Sequence, residues 1–131
     1  MRTFLIASAL CLATSPVLAA DVFGVWKSEP NDEGAFIHVE IKPCANNADK
    51  VCGTIVKQVN SKSGRNVVGK PIIWDMVPDG KNEWDDGKIW AADDDETYSS
   101  TMELKSANVL EVSGCVMGGL ICRGQDWTRV K

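Results

Sequence analysis

His38 is the only histidine of the chain, and a serine or cysteine nucleophile would depend on it as the general base. A hydrolytic triad needs the nucleophile, that base and a carboxylate within hydrogen-bond reach of one another. No nucleophile elbow and no carboxylate motif that would complete such a triad stands out in the sequence. We therefore predict no catalytic residue, and we expect His38 to lie on the surface.

Acidic residues gather in the stretch 79–96, around Trp84 and Trp90. Calcium binding would need a glycine at the sixth position of a loop of alternating oxygen ligands, and the segment Asp93–Tyr98 lacks it. A sugar could instead stack on the indoles while carboxylates bind its hydroxyls, and glycan hydrolysis would further need two carboxyls at a set separation. The simplest interpretation is two solvated hairpin turns. If the stretch is functional, we expect an acidic face made of Trp84, Asp85, Asp86 and Trp90.

Two cysteine pairs, Cys44 with Cys52 and Cys115 with Cys122, have separations of eight and seven residues. Four cysteines allow three pairings, and separations this short favour bridges within each pair, on neighbouring strands or across one hairpin. Four thiolates could alternatively bind zinc, but neither pair has Cys-x-x-Cys spacing and the chain carries an export signal. We expect two local disulfides, no metal and no cofactor.

That export signal is the segment 1–20, in which a basic residue precedes an apolar run, a proline and two small residues at the end. The leader holds one of the 14 basic residues and none of the 18 acidic ones, so residues 21–131 carry a net charge of 13 − 18 = −5. The negative charge argues against binding to nucleic acid. No apolar run after the leader approaches the roughly 20 residues that a membrane span needs. We expect a signal peptide, residues 1–20, and one periplasmic or secreted domain, residues 21–131.

Apolar and polar residues alternate with a period of two almost throughout the domain, which predicts an all-β fold. Turn-forming clusters divide the chain into about eight short strands, as in a sandwich or a barrel. A small barrel has room for packed side chains or for one small ligand, and the sequence leaves both possibilities open. The predicted strands cover residues 23–27, 35–42, 51–59, 71–76, 87–91, 97–104, 109–116 and 120–130, with a turn at 46–49 and a polar loop at 60–70.

The two ends of the domain favour a barrel over a sandwich. Gly24-Val25-Trp26 at the start and Arg129 near the end resemble the lipocalin and wider calycin families. In those families the tryptophan lies at the closed end of the barrel and a basic residue packs over it. The resemblance implies that Gly24, Trp26 and Arg129 close one end, with a cation–π contact worth roughly 0.5 to 2 kcal/mol.

A closer resemblance covers nearly the whole domain. Motifs such as Cys52-Gly53-x-Ile55-Val56, Leu110-x-Val112-x-Gly114-Cys115 and Cys122-Arg123-x-Gln125-x-Trp127-x-Arg129 are similar to those of a secreted bacterial family, the domain of unknown function numbered twenty-one forty-seven. One departure is the segment 91–96, where that family usually has an Asp-Pro-x-x-Gly-Lys turn. The resemblance implies a small lipocalin-like antiparallel up-and-down barrel, and it implies no chemistry.

These observations predict a non-enzymatic binding protein for a small apolar or amphipathic ligand, such as a lipid-like molecule, in the barrel interior. An alternative is an acidic interaction module for a basic protein partner of the cell envelope. A glycan-binding or glycan-hydrolysing protein is a third interpretation. The side chains that we expect to line the interior site are Ile37, Val39, Ile41, Ile55, Met102 and Val112.

Overall fold

The computed structural model describes residues 21–131, which form a closed antiparallel β-barrel. The predicted leader, residues 1–20, lies outside the described residues. A short 3-10 turn, Met117–Gly119, precedes the last strand. The strands are β1 (Gly24–Lys27), β2 (Phe36–Cys44), β3 (Asn47–Val59), β4 (Pro71–Pro78), β5 (Glu83–Ala91), β6 (Glu96–Ser106), β7 (Val109–Val116) and β8 (Ile121–Arg129).

Each strand pairs with its neighbours in sequence, and β1 pairs with β8 to close the sheet. The closing register places Trp26 opposite Arg129 and Lys27 opposite Thr128. This up-and-down order gathers the β1–β2, β3–β4, β5–β6 and β7–β8 connections at one end, which we call the open end. The other connections and both ends of the domain lie at the closed end. The predicted all-β, eight-stranded barrel is confirmed.

Both predicted disulfides are present. Cys44 and Cys52 are joined within the β2–β3 hairpin, with their Cα atoms 4.9 Å apart. Cys115 and Cys122 are direct cross-strand partners on β7 and β8, with their Cα atoms 4.1 Å apart. Each bridge therefore links strands that are already hydrogen-bonded neighbours, as the short separations indicated.

The first disulfide-linked hairpin has a tighter turn than the sequence indicated. We expected a turn at 46–49, but β3 already begins at Asn47, which pairs with Cys44. A register shift between Pro43 and Cys44 places Cys44 opposite Asn47. This leaves a turn of only Ala45 and Asn46. The polar residues that resemble a turn are the exposed start of a strand, because backbone hydrogen bonding in a hairpin does not require apolar side chains.

Strand β5 is also longer than predicted and begins at Glu83 rather than at residue 87. A register shift between Trp84 and Gly87 interrupts its pairing with β6, and Asp86 has a positive φ of 55°. Such a bulge breaks the period of two, so the alternation that identifies strands is lost over the acidic segment.

One hydrophobic core fills the closed half of the barrel. Trp26 is fully buried, and its indole Nε1–H donates to the Val22 carbonyl at 2.8 Å. Within residues 21–131 no helix has the length and apolarity that crossing a membrane requires. The other fully buried large side chains are Val39, Ile41, Ile55, Ile73, Met76 and Leu110.

Candidate functional site

A cavity of about 670 Å³, here called the mouth cavity, opens between the loops of the open end. Its volume lies within the range of small-molecule sites, roughly 300 to 1,000 Å³. Polar and charged residues of the β1–β2 and β3–β4 loops surround its entrance. The apolar side chains that line it are Ile37, Val67, Ile72, Ile89, Val112 and Trp127.

The interior residues predicted from the sequence divide into two groups. Ile37 and Val112 line the mouth cavity. The other four residues belong to the buried core and are not among those that line the cavity. These four residues are Val39, Ile41, Ile55 and Met102, and their part in ligand binding stays a prediction.

Strand β8 contributes cavity residues that the sequence did not predict. Arg123, Gln125 and Trp127 all line the mouth cavity. They are spaced two apart, so one face of a regular strand carries all three. Alternation counted back from an apolar Trp127 could have identified this face, but two polar residues do not resemble a core-facing strand.

Hydrogen bonding orients the polar side chain in the middle of this face. The indole Nε1–H of Trp127 donates to the Gln125 Oε1 at 3.1 Å. The Gln125 amide NH₂ therefore remains as its donor group. From the core towards the entrance, β8 presents an indole, an amide and a guanidinium.

Tyr98 lines the mouth cavity from β6, next to the β5–β6 turn. Its hydroxyl donates to the Asp94 Oδ2 at 2.6 Å, and this hydrogen bond together with burial and nearby acidic charge raises the pKa of Tyr98. The same turn is held by a second hydrogen bond, from the Trp90 indole Nε1–H to the Asp95 Oδ1 at 2.8 Å. Trp90 and Tyr98 thus hold this turn in place through hydrogen bonds. The family that the sequence resembles usually has a proline and a glycine in this turn.

The closed end is built from Trp26 and Arg129. The guanidinium carbon of Arg129 lies 4.3 Å from the centroid of the Trp26 ring. Its Nε donates to the Ala107 carbonyl at 2.7 Å and its Nη1 donates to the Phe23 carbonyl at 2.9 Å, while Nη2 donates to the carbonyl of Asp21. Gly24 has a positive φ of 131°, and a Cβ there would come within 2.9 Å of the same guanidinium.

The residues of the predicted acidic face do not form one surface. Trp84, Asp85 and Asp86 lie beside the β4–β5 turn, whereas Trp90 lies beside the β5–β6 turn at the other end of β5. A hydrogen bond to Asp79, together with burial and the charges of the neighbouring carboxylates, raises the pKa of Asp85.

A wider depression of about 850 Å³ lies on the outer wall across β2, β3 and β4. Trp74 and Trp90 line it, and the Lys70 ammonium lies 5.1 Å from the centroid of the Trp90 ring. This depression is separate from the barrel interior, although Trp90 borders both.

His38 does not line the mouth cavity. It is the cross-strand partner of Lys27 and Lys57, and its ring stacks on Phe36 at a centroid distance of 5.9 Å. Partial burial and the two lysine charges lower the pKa of His38 below 6.5. Among residues 21–131 no group of three or more His, Cys, Asp or Glu side chains is arranged to hold a metal ion.

Comparison with known proteins agrees with this architecture. Protein HP1028 from the human pathogen Helicobacter pylori, described as belonging to the lipocalin family, has a similar structure with a TM-score of 0.69. The two chains are 15% identical, and the likeness covers 85% of this chain and 84% of that one. At this identity the likeness shows the fold, which is lipocalin-like. No curated protein matches the sequence significantly.

A family model described as "uncharacterized protein conserved in bacteria" matches residues 24–129, from the first residue of β1 to the last residue of β8. The match thus spans the entire barrel, including both disulfides and the residues of the closed end. The chain therefore belongs to the DUF2147 family of bacterial proteins.

Proposed function

We propose that this protein binds a small apolar or amphipathic ligand in the mouth cavity and catalyses no reaction on it. The observation that supports the proposal is a cavity of ligand size with an apolar floor inside a barrel whose other half is packed. Burial of apolar ligand surface against such a floor contributes roughly 25 cal/mol per Å² before the costs of association.

The cavity's chemistry supports binding rather than catalysis. His38, the chain's one histidine, is not among the residues that line it. All four cysteines among residues 21–131 are held in disulfides and cannot act as thiolate nucleophiles. The serines around the entrance therefore have no imidazole base within the cavity to activate them.

Export is the second part of the proposal. We propose that residues 1–20 are a cleaved signal peptide and that residues 21–131 act in the periplasm or outside the cell. Two disulfides support an oxidising compartment, where such bonds form and persist. Intact-mass measurement of protein purified from the native host tests this, with an N-terminus at Ala20 or Asp21 expected. A chain that retains Met1 in the cytosol would contradict it.

Binding can be tested with the neutral apolar fluorophore N-phenyl-1-naphthylamine. We expect one site with a Kd on the order of 1 μM, equivalent to about 8 kcal/mol, and little change in affinity at high salt. Association with a basic protein partner would instead weaken steeply as salt rises.

The matched variants are Ile89→Phe and Val56→Phe. Ile89 is half-buried against the mouth cavity, so a phenyl group there should occupy the ligand's space and weaken probe binding at least about tenfold. Val56 is 42% exposed on the outer wall, and its variant should bind as the wild type does. Equal binding by both variants, with circular dichroism showing that both are folded, would exclude the mouth cavity as the site.

A further inference from the structure

The inner face of β8 is defined by an unbroken pairing with β7. The register runs without a shift from Val109 opposite Thr128 to Val116 opposite Ile121. Because no bulge interrupts it, side chains two residues apart on β8 point to the same side. Trp127 is only 2% exposed and belongs to the core, so Gln125 and Arg123 lie on the same inner face of β8, where both are exposed at the mouth cavity.

Arg123 has no ion-pair partner among residues 21–131. The ion pairs there involve two lysines, Lys42 with Glu40 and Lys105 with Glu111 and Asp126. The other arginine of β8, Arg129, differs because it donates to three backbone carbonyls. The guanidinium of Arg123 therefore keeps its donors available to a ligand in the mouth cavity.

The surroundings of Arg123 leave space for a ligand group. Its cross-strand partner on β7 is Gly114, which has no side chain. Glu29, an acidic residue of the entrance, is engaged elsewhere, since its Oε1 accepts the backbone N–H of Asp126 at 2.8 Å. Glu33 and Asp93 also line the entrance, but they belong to the β1–β2 loop and the β5–β6 turn rather than to β7 or β8.

We infer that the ligand carries an anionic head group, a carboxylate or a phosphate, which Arg123 and Gln125 bind above the apolar floor. This inference rests on the proposed function and adds the chemical class of the ligand. A guanidinium binds carboxylate and phosphate oxygens through two parallel hydrogen bonds, which combine charge with a fixed geometry. The Gln125 NH₂ supplies a further donor along the same face. The apolar tail of the ligand then contacts the half-buried Ile37 and Ile89.

Competition against N-phenyl-1-naphthylamine tests the head group with four ligands of equal chain length: dodecanoate, dodecyl phosphate, dodecanol and dodecylamine. We expect at least one of the two anions to bind about tenfold or more tightly than dodecanol, and dodecylamine to bind no better than dodecanol. The preference for the anion should shrink at high salt, whereas dodecanol binding should not change. Comparison of the two anions identifies whether the head group is a carboxylate or a phosphate.

Variants of Arg123 and Arg65, the two arginines that line the cavity, identify which residue binds the anionic head group. Arg123→Gln should reduce anion binding to about the level of dodecanol, a larger loss than any change in dodecanol or probe binding, and Arg123→Lys should restore part of the preference. Arg65→Gln, on the β3–β4 loop, is the matched control and should retain it.

Three outcomes overturn this inference, and they are distinguishable from failure of the proposed function. If dodecanol binds as tightly as both anions, or Arg123→Gln leaves anion binding unchanged, the head-group assignment is wrong while the cavity still binds ligand. If Arg65→Gln alone removes the preference, Arg123 is not the binding residue. If neither the probe nor any of the four ligands binds, the proposed function fails and this inference fails with it.

Discussion

Arg129 shows how one side chain can hold together segments that are distant in sequence. Its guanidinium covers Trp26 and donates to carbonyls of the N-terminal segment and of the β6–β7 turn. A lysine could supply the charge but not the planar set of donors. Arg129 therefore stabilises the closed end through geometry as well as through charge.

Arg129→Ala should lower the free energy of unfolding by about 2 kcal/mol, because it removes the cation–π contact and leaves the carbonyls of Phe23 and Ala107 without their donor. Urea denaturation measures this change, and Arg129→Lys should recover only part of it. Arg65→Ala, in the polar β3–β4 loop, is the control and should change stability little. An Arg129→Ala variant as stable as the wild type would show that the contact does not close the barrel.

Asp85, on β5, is expected to make the stability of the protein depend on pH. Its pKa is raised above 3.8 in the folded protein, so the folded state holds the proton more strongly than the unfolded state does. The stabilisation is present at low pH and is lost as the pH rises through the raised pKa. Asp85→Asn cannot ionise and should therefore have a higher Tm than the wild type at pH 7, and no such advantage below about pH 3.

Thermal unfolding at the two pH values measures this effect. Asp49→Asn, at the exposed start of β3, is the matched control and should show no gain at pH 7. A lower Tm of Asp85→Asn at pH 7 would mean that the Asp85 carboxylate is stabilising and that its neighbours do not repel it.

At the scale of the element, the bulge in β5 brings Gly87 against β4. A Cβ at Gly87 would meet the Met76 side chain and would lie 3.1 Å from the Met76 Cα. Met76 is fully buried, so neither it nor the β4 backbone can move without disturbing the core. The absence of a side chain at Gly87 is what lets Met76 fill this part of the closed half.

Gly87→Ala should cost roughly 1 to 3 kcal/mol, because the added methyl group overpacks the core against Met76. Gly114→Ala is the matched control on the inner face of β7, where a Cβ would make ordinary contacts of 3.5 Å with Ile89 and 3.8 Å with Tyr98. That variant should be neutral or slightly stabilised, since alanine restricts the unfolded chain. Denaturant midpoints of the two variants test the difference, and equal costs would contradict this packing.

At the scale of the molecule, one core unites strands from both ends of the domain. Trp26 on β1 and Trp127 on β8 belong to the same buried cluster, and β1 pairs with both β2 and β8. A closed barrel has no free edge strand that could detach while the remainder stays paired.

We therefore expect a single cooperative unfolding transition with both disulfides intact. Tryptophan fluorescence, which reports on the core, and far-ultraviolet circular dichroism, which reports on the sheet, should give the same midpoint and slope in urea. Separate midpoints would show that the open half unfolds independently of the packed half.

Local patterns along the chain were sufficient to predict the secondary structure, the all-β class and the disulfides. A period of two is a local property, so all eight strands could be predicted from it, although β3 and β5 begin earlier than expected where polar residues or a bulge hide the alternation. Cysteine spacing is equally local, and it was sufficient to predict both bridges. The Gly-x-Trp start and the basic residue of the last strand distinguished a barrel from a sandwich only through a resemblance to a known family.

Which inward residues pack and which line a cavity depends on how the barrel closes. Val39 and Ile37 lie on the same strand and differ little in sequence, yet Val39 is fully buried in the core and Ile37 faces the mouth cavity. The difference arises from their distance to the closed end, where Trp26 and its neighbours fill the interior. Arg123 faces the cavity because the unbroken register between β7 and β8 sets its orientation. Closure of the barrel is a non-local event, and no pattern within a single strand records where the packed interior ends.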